Sequence, residues 1–348
     1  MSRLAETAEL VAINSVSGME SELATLVAGR LALNPALEIT RIGDNVVART
    51  TFGKLRRVIV AGHLDTVPGN PSDALLEGDT LTGLGAVDMK GSIAVMLHLA
   101  TTHQSSSHDL TWVFYAREEI ARDQSGLLEI HRERPDLLQG DIAILGEPTD
   151  GDLEAGCQGT LRLGVEITGQ RAHTARPFTG VNAIHRLGRV IDAVAGFVPR
   201  HVTLDGVDFV EQMQVVFASG GVANNVVPDL ATCTINYRVA PDRTLADAEE
   251  AVRTLLGSVL SQGDSVRTLD WAPSCPPDLA QPALADLRRV VVTVRAKVGW
   301  TDVATFREWG VPAINFGVGD PLLAHRSDEY VTAGQLDDYE AKLRAYLS

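Results

Sequence analysis

Apolar and polar residues are spaced along the first part of the chain in a way that predicts strands and helices in turn. A helical region is predicted over 3 to 33 with a break at 15 to 18, and two strands follow over 37 to 51. An apolar helix is predicted over 92 to 101. Short apolar runs predict buried strands at 58 to 62, 110 to 115 and 141 to 145. Each run is followed by acidic or imidazole side chains, which is typical of an α/β sheet with its site at the carboxyl edge.

The pattern changes from about position 159, where apolar residues alternate with polar ones at the period of a strand with one solvated face. Further elements are predicted as a helix over 182 to 197, strands over 214 to 218 and 231 to 239, a helix over 245 to 260 and a strand over 265 to 269. This order predicts a small α+β unit with an antiparallel sheet, inserted into a larger domain.

Four prolines between 273 and 282 predict a linker that returns to the larger domain. Beyond the linker, the pattern predicts a helix over 283 to 297 and then an apolar segment over 313 to 316. The predicted domain limits are therefore 1 to 158, 159 to 272 and 273 to 348.

His63 and Asp65 follow the first buried run and share one side of an extended backbone. A carboxylate commonly orients and polarises a histidine that binds a metal ion, although this short motif also occurs in ordinary turns. The further candidates are Asp88, Glu118, Glu119, Glu147 and His325. A nucleotide site at Gly83-Leu84-Gly85 is rejected, because a third glycine and a direct strand-to-helix junction are both missing.

These candidates combine two histidines with several carboxylates and no thiolate, a set that suits zinc or a comparable divalent ion. Five ligands that share one carboxylate predict a site for two metal ions. The adjacent side chains of Glu118 and Glu119 diverge, so one is expected to bind metal while the other acts as a general base.

The composition of the chain mainly excludes classes of function. The chain has 348 residues, 45% of them hydrophobic, and a formal net charge of -15. This charge argues against a general nucleic-acid surface, because phosphate binding needs clustered Lys and Arg. Neither a membrane span nor a signal peptide is expected, since charged residues interrupt the apolar stretches. Three cysteines far apart in the sequence favour a reducing cytoplasm.

Seven motifs occur in an order that matches a known family of enzymes. They are Gly62-His63-Leu64-Asp65-Thr66-Val67-Pro68, Gly85-Ala86-Val87-Asp88-Met89-Lys90-Gly91, Glu118-Glu119, Gly146-Glu147-Pro148-Thr149, Ala172-His173 with Pro177, Asn225-Val226-Val227-Pro228, and His325. With these motifs the chain resembles the dinuclear-zinc amidohydrolases that include acetylornithine deacetylase, aminoacylase, glutamate carboxypeptidase and succinyl-diaminopimelate desuccinylase. The resemblance implies an α/β, zinc-exopeptidase-like catalytic domain with an inserted α+β (ferredoxin-like) domain that serves as a lid and as the contact of a homodimer.

The resemblance also implies two Zn²⁺ ions, with Co²⁺ or Mn²⁺ as substitutes, and a small N-acyl amino-acid substrate. Asp88 would bridge the ions, His63 and Glu147 would complete one site, and Glu119 and His325 the other. Asp65 would orient His63. Glu118 would act as base and then as acid, and His173 would stabilise the oxyanion, commonly across the dimer.

Four residues are expected to bind substrate: Arg238, Asn224, Asn225 and Thr301. Taken alone, His173 is typical of a surface or capping residue, Arg238 of a solvated charge, and the two asparagines of a turn. Six further histidines match no motif and are interpreted as packing or solvated residues: His98, His103, His108, His131, His185 and His201.

Within this family, three segments are most similar to the shorter bacterial succinyl-diaminopimelate desuccinylases. They are Gly156-Cys157-Gln158-Gly159-Thr160, Gly299-Trp300-Thr301-Asp302 and Asp320-Pro321-Leu322-Leu323-Ala324-His325. This similarity implies removal of succinyl from N-succinyl-LL-2,6-diaminopimelate, in lysine and diaminopimelate biosynthesis. The alternatives are an acetylornithine deacetylase, another hydrolase of N-acyl amino acids or dipeptides, and a metal-binding relative without activity.

Overall fold

The computed structural model describes residues 2–70, 74–102 and 106–348. His103, interpreted above as a packing or solvated residue, lies outside these ranges. The chain forms two compact units. The first comprises Met1–Ala155, Asp278–Arg295 and Thr305–Ser348, and the second comprises Gly156–Pro277 and Ala296–Ala304. The domain limits drawn from the sequence stay a prediction.

Strands and helices are numbered in chain order. The strands are β1 (Glu38–Ile42), β2 (Asn45–Arg49), β3 (Arg57–His63), β4 (Leu75–Glu77), β5 (Thr80–Thr82), β6 (Asp109–Tyr115), β7 (Ile142–Leu145), β8 (Leu153–Ala155), β9 (Gly159–Thr168), β10 (Ala172–His173), β11 (His201–Leu204), β12 (Val207–Val210), β13 (Gln212–Gly220), β14 (Val226–Val227), β15 (Leu230–Val239), β16 (Ser265–Ala272), β17 (Val294–Ala296), β18 (Ala313–Asn315) and β19 (Tyr330–Thr332). The helices are α1 (Arg3–Val11), α2 (Ser21–Leu31), α3 (Gly91–Thr102), α4 (Gly126–Glu133), α5 (Ala183–Ala195), α6 (Leu245–Leu256), α7 (Pro282–Val290), α8 (Val303–Glu308) and α9 (Ala333–Leu347).

The first unit is built on an eight-stranded sheet in the order β1-β2-β6-β3-β7-β18-β8-β17. Its central strands β6, β3, β7 and β18 are parallel. They are almost completely buried, which is why their sequences are continuous apolar runs rather than alternating ones. Because parallel strands end at the same edge of a sheet, the residues that follow β6, β3 and β7 come together there.

Two parts of the first unit differ from the sequence predictions. No strand was predicted between the apolar run at 58 to 62 and Asp88, but β4 and β5 lie there and form a three-stranded sheet with β19. The helix predicted over 283 to 297 is wrong in its second half, because α7 ends at Val290 and the chain continues into β17. Positions 291 to 294 are all β-branched, and such residues favour an extended backbone over a helix.

The second unit is ferredoxin-like. Its elements follow the order β9, α5, β13, β15, α6, β16, and the antiparallel sheet has the order β13-β15-β9-β16. Apolar residues of the sheet and of both helices form one core, which includes Leu163, Leu187, Ile235 and Val252. The predicted fold class, an α/β unit with an inserted α+β unit, is therefore confirmed. Within the described ranges, none of the helices has both the length and the apolar character needed to span a bilayer.

Candidate metal centre

His63 is the last residue of β3, and its side chain is fully buried. Its Nδ1 lies 3.0 Å from the backbone oxygen of Asp65, and its Nε2 lies 3.0 Å from Oδ1 of Asp88. A carbonyl oxygen only accepts, so Nδ1 carries a hydrogen, and Nε2 of the neutral ring turns a lone pair towards a carboxylate. That contact is favourable only when a proton or a cation lies between the two atoms. Burial acts to lower the pKa of His63, but Asp65 and Asp88 raise the pKa well above its usual range.

His325 faces the same carboxylate from a different loop. Its Nε2 lies 3.0 Å from Oε1 of Glu119 and 3.4 Å from Oδ2 of Asp88. Hydrogen bonds with Asp88 and Glu119 raise the pKa of His325 to about 10. His325 has a φ of 67°, and its side chain is 54% exposed, in contrast to the buried His63. The two histidines therefore approach opposite oxygens of Asp88, one from the interior and one from the surface.

Asp88 is held in a tightly packed part of the first unit. It lies next to Met89, and the peptide bond between the two residues is cis. Sδ of Met89 accepts a hydrogen bond from the backbone N–H of His63. A Cβ atom on Gly62 would lie 2.6 Å from the methyl carbon of Met89, and one on Gly146 would lie 2.7 Å from it. The flexible end of the Met89 side chain therefore packs against the bare backbone of both glycines.

The carboxylate of Asp65 is completely buried and holds the backbone of the glutamate pair. It accepts hydrogen bonds from the backbone N–H groups of Glu118 and Glu119, both at 3.0 Å, and from the hydroxyl of Ser17 at 2.7 Å. Although burial acts to raise the pKa of Asp65, its hydrogen bonds, including that with His63, keep the pKa below its usual range. The sequence predicted that Asp65 orients His63. Its contact with Glu118 and Glu119 had not been predicted.

The remaining candidates of the first unit follow neighbouring strands. Glu118 and Glu119 come after β6, and Glu147 comes after β7. Because β3 lies between β6 and β7 in the sheet, these glutamates follow the two strands on either side of β3. Glu147 is 6% exposed. Ligand atoms of His63, Asp88 and Glu119 all lie within 4.8 Å of one another. This nitrogen and oxygen donor set fits a divalent ion such as zinc.

The other candidates lie in the second unit. His173 is exposed in β10, and its Nδ1 accepts a hydrogen bond from the backbone N–H of Ala175 at 3.0 Å. The backbone oxygen of Asn225 accepts a hydrogen bond from the backbone N–H of Thr174. Because Thr174 directly follows His173, the predicted His173 and Asn225 positions are neighbours. Arg238 donates to the hydroxyl of Thr160. Asn224 is exposed, whereas Thr301 is buried.

Glu329 was not among the candidates, yet it is completely buried beside Asp88. Its Oε2 accepts hydrogen bonds from the backbone N–H groups of Gly85, Val87 and Asp88 at 2.9, 3.0 and 3.2 Å. Burial, with the charge of Asp88, raises the pKa of Glu329 to about 7. The only signal in the sequence is an acidic residue four positions after His325, in a segment where Asp328 is acidic as well.

Comparison with known proteins identifies the family. The model of Peptidase family M20/M25/M40 matches residues 59–348. The chain belongs to this family. The M20/M25/M40 assignment agrees with the resemblance drawn from the motifs and confirms the prediction of a hydrolase from a family of metal-dependent enzymes.

Two relatives are similar to this chain over nearly its whole length. One is a putative succinyl-diaminopimelate desuccinylase DapE of Mycobacterium tuberculosis, 48% identical over 98% of this chain and 96% of the relative. The other is a succinyl-diaminopimelate desuccinylase of Corynebacterium glutamicum, 43% identical over 98% of this chain and 95% of the relative.

Solved structures of other proteins share the fold. Aminopeptidase PepT of Bacillus cereus has a TM-score of 0.76 at 18% identity, covering 99% of this chain and 97% of the other. YXEP of Bacillus subtilis, described as a dinuclear metal binding peptidase, has a TM-score of 0.68 at 15% identity, with coverages of 99% and 96%. At these identities the likeness supports the fold alone.

Proposed function

We propose that the protein hydrolyses N-succinyl-LL-2,6-diaminopimelate to succinate and LL-2,6-diaminopimelate. The observation that carries this proposal is the 48% and 43% identity, over nearly the whole chain, to two relatives named succinyl-diaminopimelate desuccinylase. The cluster of His63, Asp88 and Glu119 supports it, because amide hydrolysis by this family needs a divalent ion.

The proposed cofactors are two Zn²⁺ ions, for which Co²⁺ or Mn²⁺ would substitute. Asp88 would bind both ions, His63 and Glu147 the first, and Glu119 and His325 the second. The support is geometric, since the two oxygens of Asp88 lie near different histidines. Bound ions of this kind act as Lewis acids towards a carbonyl oxygen and lower the pKa of water.

Glu118 is proposed as the general base. It would take the proton of the water that attacks the amide carbon, and then donate that proton to the leaving amine. Its position is supported by Asp65, which holds its backbone N–H, and by Glu119, whose side chain turns towards His325.

His173 is proposed to donate a hydrogen bond to the oxyanion. Its Nδ1 accepts from Ala175, so the hydrogen of the neutral ring is on Nε2, where it is available to a substrate oxygen. We propose that Arg238, Asn224, Asn225 and Thr301 bind the rest of the substrate. A guanidinium group suits the carboxylate of a succinyl group.

We further propose a homodimer that forms through the second unit, and a cytoplasmic location. Among the described strands, β13 is at an edge of its sheet. Val216 and Phe217 on this strand are 58% and 63% exposed, so it offers an apolar edge to a second copy. Cys157, Cys233 and Cys275 are free thiols, which suits a reducing compartment.

A competition assay tests the substrate. The zinc-loaded protein is offered equal amounts of N-succinyl-LL-2,6-diaminopimelate and N-acetylornithine, and the products are followed by mass spectrometry. We expect succinate release alone. Faster release of acetate would favour an acetylornithine deacetylase, and cleavage of neither compound would contradict the proposed substrate.

Glu118→Gln serves as the matched variant in the same assay. It keeps the size of the side chain but removes the base, so turnover should fall by roughly 10²-fold or more while zinc content stays the same. A variant with near-normal turnover would reject Glu118 as the base.

A further inference from the structure

Glu329 lies where two loops of the proposed metal site meet. It directly precedes β19, which pairs with β5, the strand that leads towards Asp88. Its backbone oxygen accepts a hydrogen bond from Gly83 at 2.7 Å. The main chain at Glu329 is therefore attached to the segment that ends at Asp88.

The side chain of Glu329 makes a second connection between the same loops. One oxygen, Oε2, accepts hydrogen bonds from three backbone N–H groups, the last of which is that of Asp88. The other oxygen, Oε1, accepts the backbone N–H of His325 at 2.8 Å. A single buried carboxylate thus joins the backbone of Asp88 to the backbone of His325.

This arrangement needs a carboxylate of this length. An ionised carboxylate presents two acceptor oxygens and no hydrogen, so it can accept from all four converging N–H donors. A glutamine would turn its NH₂ group towards one set of donors and lose that set. An aspartate is one methylene shorter and cannot span the same two loops.

The His325 loop has a conformation that other contacts must hold. A φ of 67° is uncommon for a residue other than glycine. His325 is also more exposed than Asp88, so packing fixes it less. The hydrogen bond to Glu329 is a contact that joins this backbone to the segment of Asp88.

We propose that Glu329 is a positioning residue that sets the distance between the Asp88 carboxylate and the His325 imidazole, and thereby the affinity and geometry of the metal site. This inference rests on the proposed metal-dependent function. Glu329 acts through the backbone of two ligands and does not itself bind metal.

Cobalt titration of the metal-free, full-length protein tests the proposal. Calorimetry gives the Kd, and the visible absorption bands of bound Co²⁺ report its geometry. In Glu329→Gln we expect roughly 10- to 100-fold weaker Co²⁺ binding, the size of effect found for residues that orient metal ligands, and altered bands. The control is Glu211→Gln, which changes an equally buried glutamate of the second unit and should keep the parent's Kd and bands.

Parent-like Co²⁺ affinity and bands in Glu329→Gln would overturn the proposal. If that variant does not fold, Glu329→Asp decides, because it keeps the charge but shortens the connection. It should bind Co²⁺ more weakly with altered bands, and parent-like values would overturn the proposal. A parent protein that takes up no Co²⁺ would reject the metal-dependent function itself, whereas normal binding by parent and variants alike would reject only the role of Glu329.

Discussion

Glu211 in the second unit and Glu329 in the first are both completely buried, but their hydrogen-bond partners differ. Glu211 accepts from the hydroxyl of Tyr237 at 2.7 Å, from Arg243 at 2.9 Å and from Arg200 at 3.2 Å, with one backbone N–H at 3.2 Å. For Glu329, the donors in the part of the chain that the structure describes are all backbone N–H groups.

The partners decide what each carboxylate does. Two arginines balance the charge of Glu211 where it lies, so this glutamate stabilises its own unit. Backbone N–H groups are dipoles and add no full positive charge, so within the described residues Glu329 is held without the ion pairs that hold Glu211, and the buried ammonium of Lys90 acts on it electrostatically. Asp65 also accepts backbone N–H groups. The comparison therefore predicts that changes in the second unit lower stability, and that changes near Asp88 weaken metal binding.

The largest effect is expected for Glu211→Gln. The amide removes the charge that balances Arg243 and, together with Asp242, Arg200, and it turns an NH₂ group towards buried donors, so the free energy of unfolding should fall by roughly 3 kcal/mol. Urea unfolding of the metal-free protein, followed by circular dichroism, measures this loss. An unchanged midpoint, or a loss of Co²⁺ affinity in this variant, would remove the distinction between the two glutamates.

Asp65→Asn tests a carboxylate that accepts backbone N–H groups, as Glu329 does. Its amide cannot accept the N–H groups of both Glu118 and Glu119, so metal affinity should fall about 10- to 100-fold, with a smaller shift of the urea midpoint than in Glu211→Gln. Calorimetric titration with Co²⁺ measures the affinity. Asp136→Asn is the control, because Asp136 is exposed and pairs with Arg134. A large stability loss with parent-like metal affinity would contradict the prediction.

Asp264→Asn tests, through the pH dependence of stability, a buried carboxylate that pairs with an arginine as Glu211 does. Burial acts to raise the pKa of Asp264, but hydrogen bonds from Arg186, Thr168 and Ser261 keep the pKa below its usual range. A lowered folded-state pKa stabilises the protein fully above the unfolded value of about 3.9, and this contribution is lost as the pH falls through the folded value. The variant should be less stable than the parent by roughly 1.5 kcal/mol at pH 7.

Urea midpoints at pH 7, 5, 4 and 3.5 give the profile for Asp264→Asn. The difference from the parent should be equal at pH 7 and 5 and should shrink below about pH 4. If the difference in urea midpoint between variant and parent stays constant down to pH 3.5, the charge of Asp264 does not contribute to stability.

The smallest effect is expected for Tyr237→Phe. It removes one of the donors to Glu211 and keeps the arginines, so the stability loss should be about 1 kcal/mol. Urea unfolding measures the loss, with Tyr330→Phe as the control at an exposed tyrosine. A loss as large as that of Glu211→Gln would mean that the hydroxyl, not the arginines, balances the carboxylate.

The central sheet could be predicted because its strands are apolar runs, and the grouping of His63, Asp88 and Glu119 follows partly from it. Parallel strands bring the residues after them to one edge, so chain order alone indicated that these side chains lie close together. Their roles as ligands stay a prediction. The small α+β unit with an antiparallel sheet was predictable from a different pattern, since its strands alternate between buried and more exposed positions, whereas its ferredoxin-like topology was implied by the family resemblance.

The contacts of Glu329 could not be predicted in this way. Three of its four partners are backbone N–H groups more than 240 positions away in the chain, and a backbone donor leaves no mark in the side-chain pattern. Strand β4 was missed for a related reason, because all of its residues are exposed and show no alternation. The end of α7 was missed because helical spacing outweighed the β-branched run that follows.

The packing of Met89 between Gly62 and Gly146 also constrains how this sequence can evolve. A side chain added at either glycine would displace the flexible end of the methionine side chain. A smaller residue at 89 would leave a cavity that only a larger residue on one of the two strands could fill. The three positions are therefore coupled, so the effect of a replacement at one of them depends on the residues at the other two.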